Sequence, residues 1–235
     1  MKTAILVDGG FFLRRFPQIY PTKAGDDPDV VAATVLGLAF DHIRRQERAR
    51  NDLYRIFFYD CPPLTKKLHL PISGRAIDMA KTKPALFRTA LHEALKRQRK
   101  VALRLGRLSD FADWQLKPAV LKQLRRRERD WSQLSDDDFE PGVRQKAVDM
   151  KVGLDIASLA YKQQVDQIVL VAGDADFVPA AKLARREGVD FILDPLWSSV
   201  PADLHEHIDG LQSVCPRPGT RSVPDHGAAS AIAEP

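Results

Sequence analysis

Short apolar runs alternate along the chain with longer stretches in which apolar residues recur at helical spacing. The apolar runs, typical of buried strands, are residues 4–7, 53–59, 101–108, 168–172 and 189–193. The periodic stretches, typical of helices, are residues 28–48, 84–99, 149–163 and 177–187. This alternation predicts an α/β fold in which helices cover both faces of a parallel sheet. Ligands of such sheets bind at the carboxyl ends of the strands.

Acidic residues stand at two of these strand ends and at the start of one helix. Asp8 directly follows the first strand, and Asp174 and Asp176 follow the fourth. In a parallel sheet, these three carboxylates lie along one edge. Asp149 begins the helix predicted before the fourth strand, and Asp155 is turned by about 120° from it around the helix axis. Asp149 is therefore the better candidate of the two for a site shared with the strand-end acids.

Converging carboxylates need a positive partner. Two of them ~5 Å apart, at an effective dielectric constant of ~20, repel each other by about 3 kcal/mol. Carboxylate oxygens select Mg²⁺ or Mn²⁺ rather than zinc, which prefers His and Cys. Such an ion lowers the pKa of bound water and neutralises charge on a phosphoryl oxygen. The chemistry that this pattern indicates is hydrolysis of a phosphodiester.

Helix capping is the alternative explanation for the strand-end acids. Asp8 by itself is as well suited to cap a following helix as to bind a metal ion. In the pair Asp174 and Asp176, one carboxylate can cap the next helix, but two are hard to explain in that way. The pair therefore favours a functional site over a purely structural one.

Composition restricts the class of protein. Apolar residues make up 44% and charged residues 29% of the chain, a mixture typical of globular proteins. The net charge of +5 favours a polyanionic partner, weakly. No apolar run approaches the ~20 residues of a membrane span, and the amino terminus lacks the apolar stretch of a signal peptide. We expect a cytoplasmic protein with no membrane contact, in which Cys61 and Cys215 are reduced thiols.

Three ordered segments resemble the NYN domain, a branch of the PIN-like nuclease superfamily. They are ILVDGGFF at 5–12, QKAVDMKVGLDI at 145–156 and VAGDADFVP at 171–179, with RREGV behind them at 185–189. Three motifs in the same order over about 190 residues are more specific than any single acidic pair. The resemblance implies a PIN-like, Rossmann-like α/β fold, with a parallel sheet flanked by helices on both faces, and divalent-metal-dependent cleavage of RNA.

The resemblance also implies roles for individual residues. Catalytic and metal-holding roles, with Mg²⁺ or Mn²⁺ as the ion, fall on four acids: Asp8, Asp149, Asp174 and Asp176. Asp155 matches a further recurrent acid and is a fifth candidate metal ligand. Many relatives carry Asn two residues after the first acid, where this chain has Gly10. The role of that Asn is then either unfilled here or supplied by another residue.

Two segments differ in composition from the remainder. From Lys96 to Arg129, twelve Lys or Arg oppose three acids, a net charge of +9. Interspersed aromatic residues make this segment suited to phosphate contact and base stacking, although a solvated basic helix with tryptophans as core anchors explains it equally well. Candidate RNA contacts are Arg125, Arg126, Arg127 and Trp114, together with Lys151 beside Asp149. We expect residues 1–215 to form one nuclease-type domain with a basic insertion at about 107–140, followed by a disordered tail at 216–235.

The function favoured by the sequence is therefore a metal-dependent ribonuclease, with single-stranded RNA as the favoured partner. A non-catalytic RNA-binding or regulatory NYN-domain protein is the alternative, since a capping cluster of acids needs no metal ion. A phosphatase on a similar open sheet and a partner-docking scaffold are two more. A haloacid-dehalogenase type is disfavoured because Gly9 and Gly10, rather than a second acid two residues on, follow Asp8. The RNA substrate, the number of metal ions and the oligomeric state stay open.

Overall fold

The computed structural model describes residues 1–45, 49–111 and 113–219. The first half contains β1 (Thr3–Asp8), α1 (Gly9–Ile19), α2 (Pro28–Arg45), β2 (Leu53–Asp60), β3 (Lys67–His69), β4 (Ala76–Asp78), α3 (Lys83–Arg97) and β5 (Val101–Leu105). Then follow β6 (Arg107–Leu108), β7 (Trp114–Leu116), α4 (Pro118–Arg125), β8 (Phe139–Pro141) and β9 (Gln145–Lys146). The last part contains α5 (Val148–Tyr161), β10 (Gln167–Val171), α6 (Val178–Arg186), β11 (Asp190–Asp194), α7 (Ala202–His205) and β12 (Gly210–Leu211).

Six strands form one parallel sheet in the order β12-β11-β10-β1-β2-β5. The chain starts in the middle of this sheet, extends it through β2 and β5 on one side, and then returns to add β10, β11 and β12 on the other. The direction of growth therefore reverses between β1 and β10. A crevice forms at such a reversal, outside the carboxyl ends of the two strands, and it is the usual ligand site of open α/β sheets.

Two hydrophobic cores cover the two faces of the sheet, as the alternating helices and strands predict. Ile5 and Val7 of β1 pack against apolar residues of α1, α2 and α3 on one face. Ala4 and Leu6, the intervening residues, pack with α5, α6 and α7 on the other face. Successive side chains of a strand point to opposite faces, so the apolar run at residues 4–7 of β1 is buried on both sides. The predicted α/β fold is confirmed.

Helix α1 is the main element that the sequence pattern did not predict. Two glycines at its start and Pro17 near its end lower its intrinsic helix propensity. Burial overrides that preference, because Phe11, Phe12 and Phe16 all enter the core. Gly9 allows the close approach: a Cβ there would lie 2.6 Å from the carbonyl oxygen of Tyr59 on β2.

The middle of the chain builds a second layer of structure outside the six-stranded sheet. The predicted strand 101–108 is interrupted at Gly106, after which β6 pairs with β9 and β7 pairs with β8, both antiparallel. Strands β3 and β4 form a separate hairpin. The carboxylate of Asp136 accepts the backbone N–H groups of Ile72 and Ser73 near that hairpin, at 3.0 and 3.1 Å. The region predicted as an insertion is therefore attached to the hairpin before α3.

Other predictions concern the ends of elements and of the chain. Both Cys61 and Cys215 are free and buried, as expected. Within the described part of the chain, no helix combines the length and the apolar character needed to cross a bilayer. Residues 46–48 of the predicted first helix, and residues 220–235 of the predicted disordered tail, lie outside the described residues.

Candidate functional site

Two acids of the predicted set lie at the crevice between β1 and β10. Asp8 is the last residue of β1, and Asp174 follows β10 by three residues. The strands are neighbours in register, with Val7 opposite Val171. Helix α5 covers the face to which the even-numbered residues of β1 point, and Asp149 lies in its first turn. The topology thus brings acids from three distant parts of the sequence to one edge of the sheet.

Electrostatic coupling shows that four of the predicted acids share one neighbourhood. Burial raises the pKa of Asp149, and the negative charges of Asp8, Asp174 and Asp176 raise it further. Such an effect requires carboxylates close enough to repel one another. The four acids to which the sequence assigned catalytic and metal-holding roles are therefore near enough to influence one another's charge.

The pKa of Asp8 is subject to opposing influences, of which burial is the largest. Burial raises the pKa of its carboxyl group, while the backbone N–H of Phe11 and the guanidinium of Arg14 lower it. The Phe11 N–H donates to Oδ1 of Asp8 at 3.0 Å, so that Asp8 caps α1. Capping fixes the orientation of the side chain at the end of β1.

The second strand-end acid also has a capping role. The backbone N–H of Asp176 donates to Oδ1 of Asp174 at 3.2 Å, at the start of the short helical turn Ala175–Phe177. Asp174, rather than Asp176, is therefore the capping residue of the pair. Both side chains are exposed, which leaves them accessible to a ligand from solvent.

The donor set fits a hydrated magnesium ion better than a dry metal cage. Among the described residues, no three His, Cys, Asp or Glu side chains are grouped closely enough to chelate an ion by themselves. Mg²⁺ usually keeps several of its waters and binds through one or two carboxylates together with substrate phosphates. Four repelling carboxylates around an open crevice offer the oxygen ligands and the negative charge that such an ion needs.

Asp155 lies apart from this cluster and has structural partners. Its carboxylate accepts the hydroxyl of Tyr59 at 2.9 Å, and Nε of Arg104 at 2.8 Å, with a second bond to the same guanidinium. Tyr59 on β2 is fully buried, and burial followed by the charge of Asp155 raises its pKa. The structure does not bring Asp155 together with the other four predicted metal ligands, because it faces β2 and β5 instead.

The candidate RNA contacts occupy different surroundings. Arg125, Arg126 and Arg127 are exposed at the carboxyl end of α4, where Arg126 pairs with Glu128 at 3.7 Å. Trp114 is half-buried, and its Nε1 donates to the carbonyl oxygen of His69 at 2.8 Å. Lys151 is also half-buried.

Lys151 has a backbone partner beside the acidic edge. Its ammonium donates to the carbonyl oxygen of Leu105 at 2.7 Å, at the carboxyl end of β5. This bond connects α5 to the sheet just after Asp149, and it gives Lys151 a structural role in addition to the predicted one.

Two residues, Arg14 and Gln145, lie near Asp8, and the sequence placed neither of them there. A Cβ built on Gly10 would lie 3.4 Å from Oδ1 of Asp8, 3.6 Å from Nη1 of Arg14 and 3.7 Å from Oε1 of Gln145. Arg14 and Gln145 therefore border the space that an Asn at position 10 would enter. Arg14 stands four residues after Gly10, on the same face of α1. A prediction of α1 would have identified it.

A buried ion pair next to the site was also missed. Asp60, at the end of β2, is fully buried and binds Arg88 and His92, with 2.7 Å between Nε2 of His92 and Oδ2. Both partners are on α3 with i,i+4 spacing, so they share one helix face. The charge of Asp60 contributes to the raised pKa of Asp8. The signal was the Arg-x-x-x-His spacing in a predicted helix.

A parallel sheet with helices on both faces and acids at its switch point is consistent with a PIN-like fold. The family model of the NYN domain matches residues 79–206, more than half of the chain. The chain belongs to the NYN domain family, a branch of the PIN-like nuclease superfamily. Asp149, Asp174 and Asp176 lie within the match, and Asp8 precedes it.

One curated protein of similar sequence is an uncharacterized protein of the archaeon Methanocaldococcus jannaschii. It is 29% identical over 73 residues, which make up 30% of this chain and 30% of that protein. The chain thus matches less than a third of the length of this relative. Because that protein is itself uncharacterized, the similarity does not indicate an activity.

Proposed function

We propose that this protein is a divalent-metal-dependent ribonuclease that hydrolyses phosphodiester bonds of RNA at the acidic edge of its sheet. The observation that carries the proposal is the placement of Asp8 and Asp174 at the ends of the neighbouring strands β1 and β10, with Asp149 of α5 near enough to feel the charges of Asp8, Asp174 and Asp176. Such crowding costs free energy in the absence of a cation. Crowded carboxylates at an accessible ligand crevice therefore indicate a binding site for a positive ion.

Asp8, Asp149, Asp174 and Asp176 would hold Mg²⁺ or Mn²⁺. When bound, the ion supplies a polarised phosphoryl oxygen and a water of lowered pKa for in-line attack on phosphorus. The chain's own groups orient the substrate. Arg14, exposed next to Asp8, offers a guanidinium that suits a phosphate oxygen. The capping bonds to Asp8 and Asp174 hold two carboxylates in place before substrate arrives.

Single-stranded RNA is the proposed substrate. The net charge of +9 between Lys96 and Arg129 supports binding to phosphates. Trp114 offers an aromatic ring within this segment, and its bond to His69 fixes the indole. Arg125, Arg126 and Arg127 are proposed to contact the sugar–phosphate backbone away from the site of cleavage.

The experiment compares the wild type with Asp174→Asn and with a control, Asp41→Asn. Asp41 is a surface residue that pairs with Arg44 on α2, so its substitution makes the same chemical change away from the site. Each protein is incubated with labelled single-stranded RNA, single-stranded DNA and a chromogenic phosphomonoester, in Mg²⁺, Mn²⁺ or chelator. We expect RNA to be lost only with metal, and only in the wild type and the control. Monoester turnover would favour a phosphatase instead.

The alternative, a non-catalytic RNA-binding protein, is favoured by the capping bonds of Asp8 and Asp174, which give these acids a use without metal. It predicts intact RNA in every buffer and RNA retention that Asp174→Asn leaves unchanged. Thermal melting gives a second readout. A functional metal site predicts that Mg²⁺ raises the melting temperature of wild type and Asp41→Asn but not that of Asp174→Asn.

A further inference from the structure

A cavity of about 550 Å³ lies beside the acidic edge and has no role in the scheme above. It is an open cavity lined by the segment after β2, the β3–β4 hairpin, the first turns of α3 and the second layer of structure built by residues 107–145. Its walls are mainly apolar and include Leu70, Ile77, Ala85, Leu108, Trp114 and Phe139. The volume lies within the range of roughly 300–1,000 Å³ that is typical of small-molecule sites.

Two residues connect the cavity to the acidic cluster. Gln145 lines the cavity, and its Oε1 lies within 4 Å of the same point above Gly10 as Oδ1 of Asp8. Cys61, another wall residue, follows Asp60 at the end of β2, and the negative charge of Asp149 contributes to the raised pKa of its thiol. A ligand group in the cavity is therefore adjacent to whatever binds at the acidic edge.

The lining combines flat apolar surface with a few polar groups. Trp114 is held by its bond to the carbonyl oxygen of His69, so its indole is fixed before any ligand enters. Thr82, Lys117 and Gln145 add polar groups. An aromatic ligand with hydrogen-bonding edges, such as a nucleobase, matches this combination.

Charge selects the type of molecule that carries such a group. Lys117 and Arg88 line the cavity together with Asp136 and Asp137, so the walls themselves carry no net charge, while the adjoining segment from Lys96 to Arg129 has a net charge of +9. An apolar partner peptide would gain little from the cations of that segment, whereas a nucleotide strand places a phosphate on each side of every base and keeps the base itself uncharged. The cavity and the acidic edge then receive two parts of one strand.

We propose that this cavity binds one unpaired base of the RNA strand whose adjacent phosphate lies at the acidic edge, and that it thereby sets the position of the strand for cleavage. The part of this inference that concerns positioning for cleavage rests on the proposed ribonuclease function. Base binding itself needs no metal ion and no cleavage.

Trp114 provides a direct probe of occupancy. The chain has three tryptophans, so the double variant Trp131→Phe/Trp197→Phe leaves Trp114 as the sole reporter. Its emission is followed in chelator while a short single-stranded RNA, a nucleoside 5′-monophosphate or ribose 5-phosphate is added. We expect saturable quenching by the RNA and the nucleotide and none by ribose 5-phosphate, which lacks a base. Equal responses to all three, or none to RNA, would overturn the proposal.

The chain's own residues 220–235 are the competing occupant. Their removal from the sole-tryptophan protein must leave the emission of Trp114 unchanged in the absence of RNA if the cavity is reserved for a base. A shift in emission on removal, together with tighter RNA binding, would instead assign the cavity to that segment.

Filling the cavity tests its role in RNA binding. Ala85→Phe places a ring at a buried wall position of α3, and Leu86→Phe places the same ring at the neighbouring position, which is 57% exposed. We expect Ala85→Phe to weaken RNA binding in chelator by about tenfold or more, the loss expected when one stacked base is displaced. Leu86→Phe should bind as the wild type does. Melting curves establish that both variants fold.

Truncation gives a second comparison if Ala85→Phe fails to fold. Trp114→Ala removes an aromatic wall of the cavity. Trp131→Ala removes a tryptophan that lies two residues after the basic segment, is 70% exposed and does not line the cavity. We expect weaker RNA binding for Trp114→Ala alone. An RNA with a single abasic site at the preferred position should bind wild type and Trp114→Ala equally. If both truncations bind like the wild type, the cavity does not hold a base.

The two proposals fail in different ways. Base-dependent quenching of Trp114 without metal-dependent RNA loss would refute the ribonuclease and leave the base site standing. Metal-dependent RNA loss that Ala85→Phe and Trp114→Ala leave unaltered would refute the base site and leave the ribonuclease standing.

Discussion

Replacement of Asp155 separates a structural acid from a metal ligand. The sequence includes Asp155 among the candidate ligands, whereas the structure places its carboxylate on the hydroxyl of Tyr59 and the guanidinium of Arg104. Asp155→Ala removes the acceptor of a fully buried hydroxyl. We expect it to lower the melting temperature and to leave the response to Mg²⁺ intact.

The magnitude follows from burial. An unsatisfied buried hydroxyl costs about 1–3 kcal/mol. Arg104 is 44% exposed, so loss of its ion pair adds at most about 1 kcal/mol. A total of about 1–4 kcal/mol corresponds to a decrease of roughly 2–16 °C for a domain of this size. Asp155→Asn should cost less, because its amide oxygen can still accept the bond from Tyr59.

The assay is thermal melting with and without Mg²⁺. At ten times its dissociation constant, a bound ion stabilises the native state by about 1.4 kcal/mol. We expect this increment to be the same in Asp155→Ala as in the wild type and to be absent in Asp174→Asn. Tyr59→Phe, which removes the hydroxyl itself, serves as the control and should cost about 1 kcal/mol. An Asp155→Ala protein that melts like the wild type but has lost its response to Mg²⁺ would refute the structural assignment.

Three further predictions concern glycine packing and pH. Gly9→Ala should lower the melting temperature by at least several °C, because its Cβ would lie 2.6 Å from a backbone oxygen of β2. Gly10→Ala, whose Cβ would have its nearest neighbour at 3.4 Å, should melt like the wild type. Burial and like charges raise the pKa of Asp149 above 3.8, so Asp149→Asn should melt higher than the wild type at neutral pH without metal, and this advantage should disappear below pH 3.8. The bonds from Arg129 lower the pKa of Asp138 to about 2. The stability that ionised Asp138 contributes should therefore be lost as the pH falls from 3.8 through 2. Melting curves of Asp138→Asn should not show this loss. Identical acid profiles for that variant and the wild type would contradict the last of these.

Several features of the fold could be predicted because their cause is local in sequence. The strand Gln167–Val171 is apolar after its first residue and is buried on both faces, so its pattern was sufficient. Helix α5 was predicted from the spacing of Ile156, Leu159 and Ala160, which do face the core. Helix α1 was not predicted, because its stability comes from burial against β1 and β2 rather than from the propensities of Gly9, Gly10 and Pro17.

The candidate site likewise has residues that the sequence could predict and residues that it could not. Strand ends and a helix start were sufficient to nominate Asp8, Asp149, Asp174 and Asp176, because parallel strands place their carboxyl ends at a common edge. Asp155 could not be assigned, since its partners Tyr59 and Arg104 are, respectively, 96 and 51 residues away along the chain. Asp60 was missed for the same reason, because its role depends on a helix that folds back onto the end of β2.

By itself, the sequence determined the class of fold, the family and the four acids that meet at one edge, since periodicity and strand ends are encoded by neighbouring residues. Only the tertiary structure decided that Asp155 supports β2 and β5, that Arg14 and Gln145 border the space above Gly10, and that a cavity opens beside the acids. Those outcomes depend on which distant surfaces come into contact. Contacts of that kind are selected by the packing of the whole chain, and no local pattern records them.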